Sequence, residues 1–274
     1  DMSGKPEIWV MNDDGTGLEQ LTNEALYSVG PRWSPDGTKI AYLYQDSLST
    51  AGAGFPAELW VMNADGTNKQ KVWDVWGIGW SEAQITWFDN DEIIYRDASG
   101  GVGTDYLRIV KIDGTNDRTF WDDDYCVHHP DFYPQSDGGI IWGKLVYNWY
   151  AGGGHHLGIC VVIDGDPNSK VCLTEEGWYL GHGFPRWSSD GTKILYTDIY
   201  DDRGTEPGPY DKIIIMNEDG SGKTEVPGIV GRKADFAQND EKIVYVGPVD
   251  GTDWSSGSAI WIVNIDGTNP VRLI

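Results

Sequence analysis

Apolar residues in this chain come in runs of four or five β-forming side chains, each run stopped by Asp-Gly. The clearest is Ile8-Trp9-Val10-Met11-Asn12-Asp13-Asp14-Gly15-Thr16, which returns as Leu59-Trp60-Val61-Met62-Asn63-Ala64-Asp65-Gly66-Thr67 and as Ile260-Trp261-Ile262-Val263-Asn264-Ile265-Asp266-Gly267-Thr268. Weaker copies end at Asp113-Gly114-Thr115, Asp164-Gly165 and Asp219-Gly220-Ser221. The turn glycines fall at 15, 66, 114, 165, 220 and 267, roughly 47 to 55 residues apart, a period that marks a repeat architecture. Asp-Gly behind an apolar run is a strong two-residue hairpin signal, so each copy predicts strand, tight turn, strand.

A second pattern alternates with the first. Its clearest forms are Pro31-Arg32-Trp33-Ser34-Pro35-Asp36-Gly37-Thr38-Lys39-Ile40-Ala41-Tyr42 and Pro185-Arg186-Trp187-Ser188-Ser189-Asp190-Gly191-Thr192-Lys193-Ile194-Leu195-Tyr196. Degenerate forms run over residues 85–95 and 235–245, and a longer one leads from Pro130-Asp131-Phe132-Tyr133 to Lys144-Leu145-Val146-Tyr147. Each again predicts a hairpin. Two alternating hairpins give four short antiparallel strands per repeat, the make-up of a propeller blade. The fold class is therefore all-β, a six-bladed β-propeller in one domain over residues 1–274.

Composition agrees with this and narrows the partners. Of 274 residues, 36 are Gly and 13 Pro, which suits a turn every few residues, and 14 Trp, 14 Tyr and 6 Phe supply a core. A formal charge of −23 argues against a nucleic-acid partner and against an anionic membrane surface. No apolar run approaches the ~18 residues of a membrane-spanning helix, and no signal-peptide pattern opens the sequence. Cys126, Cys160 and Cys172 have no zinc-type spacing. Cys160 and Cys172 flank one hairpin, but alignment with the other copies offsets them by one position and turns them to opposite faces. That alignment argues against a bond between them.

The Trp-Ser-Pro-Asp-Gly-Thr-Lys-Ile-Ala-Tyr and Ile-Trp-Val-Met-Asn-x-Asp-Gly-Thr units resemble the TolB-like β-propeller repeat, and the resemblance covers essentially the whole chain. It implies that the first kind of hairpin, with Trp-Ser-Pro-Asp-Gly, forms inner strands A and B of a blade, and the Met-Asn-x-Asp-Gly hairpin forms outer strands C and D. It also implies that Trp33, Trp87, Phe132, Trp187 and Phe236 are core between blades, with Trp9, Trp60 and Trp261 in the same part on strand C. An envelope setting follows: extracellular, cell-surface or periplasmic.

Six outer hairpins but five inner ones can be counted. The first outer hairpin lacks its inner half, which leaves unpaired edge groups and an uncovered apolar face. Two sources are open: residues flanking this chain, or strands donated by a neighbouring molecule, which would make self-association a property of the protein.

Strand order places the B–C and D–A loops on one side, where all the long irregular segments fall, and function concentrates on such loops. Loop aromatics there, among them Trp76, Trp80, Tyr125, Trp149, Trp178, Tyr179 and Trp254, are plates for sugar rings or anchors for a protein partner. Arg232 stands at the start of an inner strand. All five histidines, His128, His129, His155, His156 and His182, lie between 128 and 182 on that side. With Asp131 nearby they form a candidate transition-metal site. Asp201-Asp202, and Asp250 with Asp253, are candidate Ca²⁺ positions. TolB-like oligogalacturonate lyases hold a divalent metal with histidines near the propeller axis, and Gly181-His182-Gly183 and His128-His129 resemble that arrangement. Those enzymes have seven blades, and a strongly acidic surface repels a polyanionic sugar unless the pocket is locally positive. No nucleophile elbow, phosphate loop or dinucleotide fingerprint stands in a fitting context. The expected function is a non-catalytic binding or assembly module for a protein partner, with carbohydrate as a further candidate ligand. A metal-assisted polysaccharide lyase is the alternative.

Overall fold

The protein is described from a computed structural model, which covers residues 6–45, 55–78, 84–97, 99, 106–122, 126–137, 140–150, 157–163, 166–174, 180–200, 211–237, 239–252 and 254–274. The chain is an all-β propeller of four-stranded antiparallel blades. The first hairpin, β1 (Trp9–Val10) and β2 (Glu19–Gln20), stands as a two-stranded sheet. The blades that follow are β3 (Tyr27–Trp33), β4 (Lys39–Gln45), β5 (Phe55–Asn63) and β6 (Gln70–Ile78), then β7 (Ile85–Trp87), β8 (Glu92–Asp97), β9 (Tyr106–Lys111) and β10 (Arg118–Asp122). Next are β11 (Cys126–Asp137), β12 (Ile140–Tyr150), β13 (Leu157–Ile163) and β14 (Val171–Cys172), then β15 (Leu180–Trp187), β16 (Lys193–Tyr200), β17 (Lys212–Asn217) and β18 (Thr224–Glu225). The last blade is β19 (Arg232–Ala237), β20 (Lys242–Pro248), β21 (Ser258–Asn264) and β22 (Val271–Arg272). Among the described residues there are thus five four-stranded blades rather than six, the remaining hairpin being the outer half-blade expected from the count.

The chain forms two compact units. One comprises Asp1–Met11, Gly17–Leu145 and Ile163–Ser169; the other comprises Asn12–Thr16, Val146–Val162 and Lys170–Ile274. In the first, Leu43, Leu59, Ile85, Ile93, Tyr95 and Val110 pack between β3–β6 and β7–β10. In the second, Leu195, Ile213, Val226, Ala234, Ile243 and Val263 fill the space between β15–β18 and β19–β22. Both clusters come from alternate positions of short strands, because the side-chain period of two sends every second residue to one face.

The repeated Asp-Gly turns differ from the simplest expectation. Asn63 N–H donates to Thr67 O at 2.9 Å and Gly66 N–H to Asn63 O at 2.9 Å, with Gly66 at φ +79°. The loop therefore has three residues, a turn followed by a left-handed glycine bulge, not two. Asp65 Oδ1 accepts from both Thr67 N–H (3.0 Å) and Thr67 Oγ1 (2.6 Å), and Asn63 Nδ2 donates to Thr67 Oγ1 at 2.9 Å. The Asp-to-hydroxyl part of this lock recurs at Asp14, Asp113, Asp219 and Asp266, and the Asn part at Asn12, Asn217 and Asn264. In the inner hairpins Asp36 Oδ1 accepts from Ser34 Oγ and Thr38 N–H, and Asp190 does the same between Ser188 and Thr192. These bonds favour the charged form and pull Asp36 and Asp190 down to about 2. Asn-x-Asp-Gly-Thr and Ser-x-Asp-Gly-Thr recur because they close hairpins.

Three expectations are corrected by the packing. Trp33 is 51% exposed and Trp9 38% exposed, so neither is core, whereas Trp87, Phe132 and Trp187 are buried as expected. Trp60, Trp261 and Phe236 are partly buried against core clusters. The cysteines are the third case: Cys160 stands directly opposite Cys172 in the β13–β14 ladder and the two form a disulfide. The register of the other copies does not carry over, because a 3-10 turn at Pro167–Ser169 lengthens this loop. Val171 follows the turn glycine by six residues where Gln70 follows its own by four.

Inner strands share one more feature. Ladders β3–β4, β15–β16 and β19–β20 each shift register just before the Arg or Asp that precedes the aromatic. The bulge residues are Gly30, Phe184 and Lys233, all left-handed, and His129 takes the same conformation in β11. A bulge at this point re-aims the strand, at a cost on the order of 1 kcal/mol wherever the residue is not glycine.

Candidate functional site

Sequence-predicted site residues fall in both units, and each unit is described on its own. In the first, β11 carries His128, His129 and Asp131. His129 is buried with φ +50°, and its ring centroid lies 6.1 Å from that of His128. Burial, with Arg96 and His129 adding to it, holds His128 well below the usual imidazole range, so His128 is neutral at neutral pH. Asp131 Oδ1 accepts from Thr86 Oγ1 at 3.4 Å, and Thr86 Oγ1 accepts from Phe132 N–H at 3.3 Å. That places Asp131 in the seam between β7 and β11. Trp76 stands on β6 with 53% of its surface in solvent.

The second unit brings together more of the predicted chemistry. His182 on β15 faces Asp198 on β16 across the ladder. Its Nδ1 lies 3.2 Å from Asp198 Oδ1, although neither atom completes a well-angled hydrogen bond among the described residues. Tyr196, two residues back on the same strand face, meets the His182 ring edge-on at 5.4 Å. Burial, reinforced by the Asp198 charge, pushes the Tyr196 hydroxyl up to about 12.

Around β19 a second group forms. The Arg232 guanidinium lies over the Trp254 indole, 4.5 Å from the ring centroid, within cation–π range. Arg232 Nε is 4.0 Å from Asp211 Oδ2. Asp211 is entirely buried. Its backbone carbonyl accepts from Gly231 N–H at 3.0 Å, while both carboxylate oxygens lack a hydrogen-bond donor among the described residues. Burial pushes Asp211 up to about 6, against the pull of Arg232 and with Asp198 adding to the rise. Next to Arg232, Lys233 reaches to 5.9 Å from the centre of the Phe184 ring. The geometry stacks a cation on an indole face, with a buried acid 4.0 Å from that cation, its carboxyl pushed up to about 6.

Two predicted residues, Arg232 and Trp254, are therefore adjacent, and His182 gains a carboxylate neighbour. Asp198 and Asp211 carried no signal in the sequence, each being one acid among 43. Trp149 lies within β12, and nothing further is described of its side chain. Trp80, Tyr125, Trp178, Tyr179, His155, His156, Asp201, Asp202 and Asp253 lie outside the described residues. Asp250 Oδ1 accepts from Thr252 N–H at 2.9 Å and so shapes its own turn. Among the described residues no three His, Cys, Asp or Glu side chains group closely enough to hold a metal ion, so the His182–Asp198 pair lacks a third ligand there. No helix in the described residues is long and apolar enough to cross a membrane.

No protein-family model and no curated protein matches the sequence. Solved structures do match. TolB from Acinetobacter baumannii superposes with a TM-score of 0.69 at 15% identity, over 97% of this chain and 59% of that one. The protein assigned as TolB in Agrobacterium tumefaciens gives 0.64 at 16% identity, over 98% and 88% of the two chains. An oligogalacturonate lyase solved in complex with manganese gives 0.60 at 13% identity, over 97% and 70%. This chain thus spans about three fifths of the Acinetobacter protein's length. At such identities the likeness is one of fold: these neighbours include TolB-like β-propellers, and this chain is a β-propeller.

Proposed function

We propose that this chain is a non-catalytic binding module whose partner is a protein, acting outside the reducing cytoplasm. Aromatic surface left open on a strand frame carries this reading: Trp9, Trp33 and Trp76 expose 38%, 51% and 53% of their surface although all three stand in strands. Indoles held rigidly in solvent are anchors for a partner, since ordering them costs little on binding. The Cys160–Cys172 disulfide supports an oxidising compartment, extracellular, cell-surface or periplasmic. Completion of the outer half-blade by another molecule belongs to the same reading.

A second reading, cleavage of a uronic acid polymer, draws support from Arg232 held over Trp254, a cation able to pair with a carboxylate. The described residues do not fit a resident metal, since His182 and Asp198 have no third partner, and no step is assigned to one. The charge of −23 also works against a polyanionic substrate.

Incubation with oligogalacturonate and Mn²⁺, followed by the ultraviolet absorbance of unsaturated uronate, separates the two. The expected outcome is no product. Product that disappears in Arg232→Ala would replace the binding-module reading with the lyase.

A further inference from the structure

Arg108, Arg118 and Arg186 spend their guanidinium donors on oxygens of the protein. Arg118 gives Nη1 and Nη2 to the two Glu92 oxygens at 2.8 and 2.9 Å, Arg108 Nε donates to Asp117 at 3.1 Å, and Arg186 Nη1 donates to the carbonyl of Pro185 at 2.7 Å. Arg232, in the second unit, differs. Among the described residues its guanidinium donates no hydrogen bond, although the Asp211 carboxylate stands 4.0 Å from its Nε. It lies instead on the Trp254 indole. The acid it stops short of is poorly served: no part of Asp211 reaches solvent, and both carboxylate oxygens lack a donor among the described residues. An unpaired acceptor in such a place is costly, and about 1 Å of approach turns the present distance into a charge-assisted hydrogen bond. The two backbones are already tied, since Gly231 N–H donates to the Asp211 carbonyl at 3.0 Å. Only the Arg232 side chain has to move, and 31% of it is in solvent. Arg232 thus has two seats, an indole face and a buried carboxylate, and occupies the one with the weaker contact.

We propose that the Trp254 indole is a receptor plate for a cationic side chain, lysine or arginine, of a protein partner, and that Arg232 is its internal cap, displaced onto Asp211 when the partner binds. The proposal rests on the binding-module reading and names its partner chemistry. Arg232 shows what the plate accepts, since the indole face already holds a guanidinium. Charge selects the same ligand: 43 acidic against 20 basic residues draw a cationic partner in from solution. Exchange leaves one cation over the indole and adds a bond at Asp211, which offsets the stacking that Arg232 gives up. Asp198, whose charge acts on Asp211, favours a cation at that seat as well. The neighbouring Lys233 is engaged elsewhere, 5.9 Å from the centre of the Phe184 ring.

The probe is Nα-acetylarginine methylamide, followed at low salt through the NMR resonances of the Trp254 indole N–H and the Gly231 amide. Its neutral analogue, Nα-acetylcitrulline methylamide, and an anion, Nα-acetylglutamate methylamide, are the controls. The arginine probe is expected to shift both resonances saturably at concentrations where the controls do not. Arg232→Ala and Arg232→Gln uncap the plate and are expected to tighten binding about two- to fivefold, the scale of an exposed cation–π contact. Trp254→Ala is expected to abolish the shift at Gly231. Asp211→Asn is expected to weaken binding about two- to fivefold when Arg232 is present and to leave it unchanged in the Arg232→Gln background, because the seat serves only the displaced cap. Weaker binding in both Arg232 variants overturns the proposal, as does the absence of any arginine-probe shift in them. Binding of the glutamate probe that Arg232→Gln abolishes overturns it in favour of an anion receptor. Equal effects of Asp211→Asn with and without Arg232 also overturn it, since the ligand would then use Asp211 itself. The probe is a small molecule, so the plate is measured independently of the partner; product from oligogalacturonate would remove the binding-module reading without touching that measurement.

Discussion

Trp33 and Trp87 arise from the same repeat position and end in opposite environments. Trp87 is closed over by the blade before it and gives its indole N–H to Arg32. Trp33 looks toward a half-blade that has no inner strands among the described residues, and is half in water. Local sequence cannot tell them apart, since both stand two residues after a proline or apolar residue, Pro31 or Ile85, and precede a tight turn. The fate of a repeat residue is set by its neighbour in the array, which is why stability in such folds behaves as a sum of units and interfaces.

Substitution by alanine should expose this difference on the largest scale. Trp87→Ala removes a buried indole and strands a cavity, for a loss of about 3–5 kcal/mol. Trp33→Ala should cost less than about 1 kcal/mol in the chain alone, as expected of a surface position. Urea unfolding of both variants checks the pair. Similar losses would mean that Trp33 is covered in solution by something the structure does not contain.

The same contrast marks how much was legible in the sequence. Hairpins, their alternation, the fold class and the half-blade could be read directly, because turn chemistry and period-two patterning are local. Burial of Trp33 was misread because it depends on an inner strand of the adjacent blade, a contact that for Trp87 reaches 55 residues along the chain. The Cys160–Cys172 register was misread because one 3-10 turn changed the loop length. Of the site, Arg232 and Trp254 were named, but their contact was not, since it joins a strand start to a turn after the following strand. Asp211 was missed altogether. Only a completed interface shows that this acid, beside an ordinary-looking Lys212, is sealed from water.

A sealed interface should also respond to pH in a way the open one cannot. Asp211 ordinarily titrates at 3.8 and is pushed to about 6 by burial. The folded protein therefore binds a proton there that the unfolded chain has already lost between those values. The contribution of Asp211 is most favourable below about pH 4 and is lost as pH rises through about 6, by on the order of 3 kcal/mol. Asp198 raises and Arg232 opposes the shift. Asp211→Asn should abolish this component, so that the variant gains on the wild type between about pH 4 and pH 7. Chemical denaturation at both ends of that window measures it. An unchanged difference between the two proteins across the window would show that Asp211 is hydrated or charged throughout.

Outer hairpins supply the remaining contrast, because they contact one another even where inner hairpins do not. A Cβ added at Gly267 would lie 2.4 Å from the carbonyl oxygen of Pro227 at the end of the preceding outer strand, with φ already at +81°. One added at Gly37, in an inner turn at φ +69°, would meet nothing within 4 Å. Both positions lose the left-handed freedom of glycine, a strain of about 1–2 kcal/mol for alanine. Gly267→Ala must in addition push two blades apart, which adds about 1–3 kcal/mol. Gly15 of the half-blade sits against Leu273 in the same manner, with its added Cβ 3.3 Å from the carbonyl oxygen, and should fall between the two. Melting temperatures of Gly37→Ala, Gly15→Ala and Gly267→Ala should therefore descend in that order. If the three coincide, the outer Asp-Gly is only a turn signal and the half-blade is held by its apolar cluster alone. If they separate, the glycine that recurs along the sequence is there for the neighbouring blade as much as for its own hairpin.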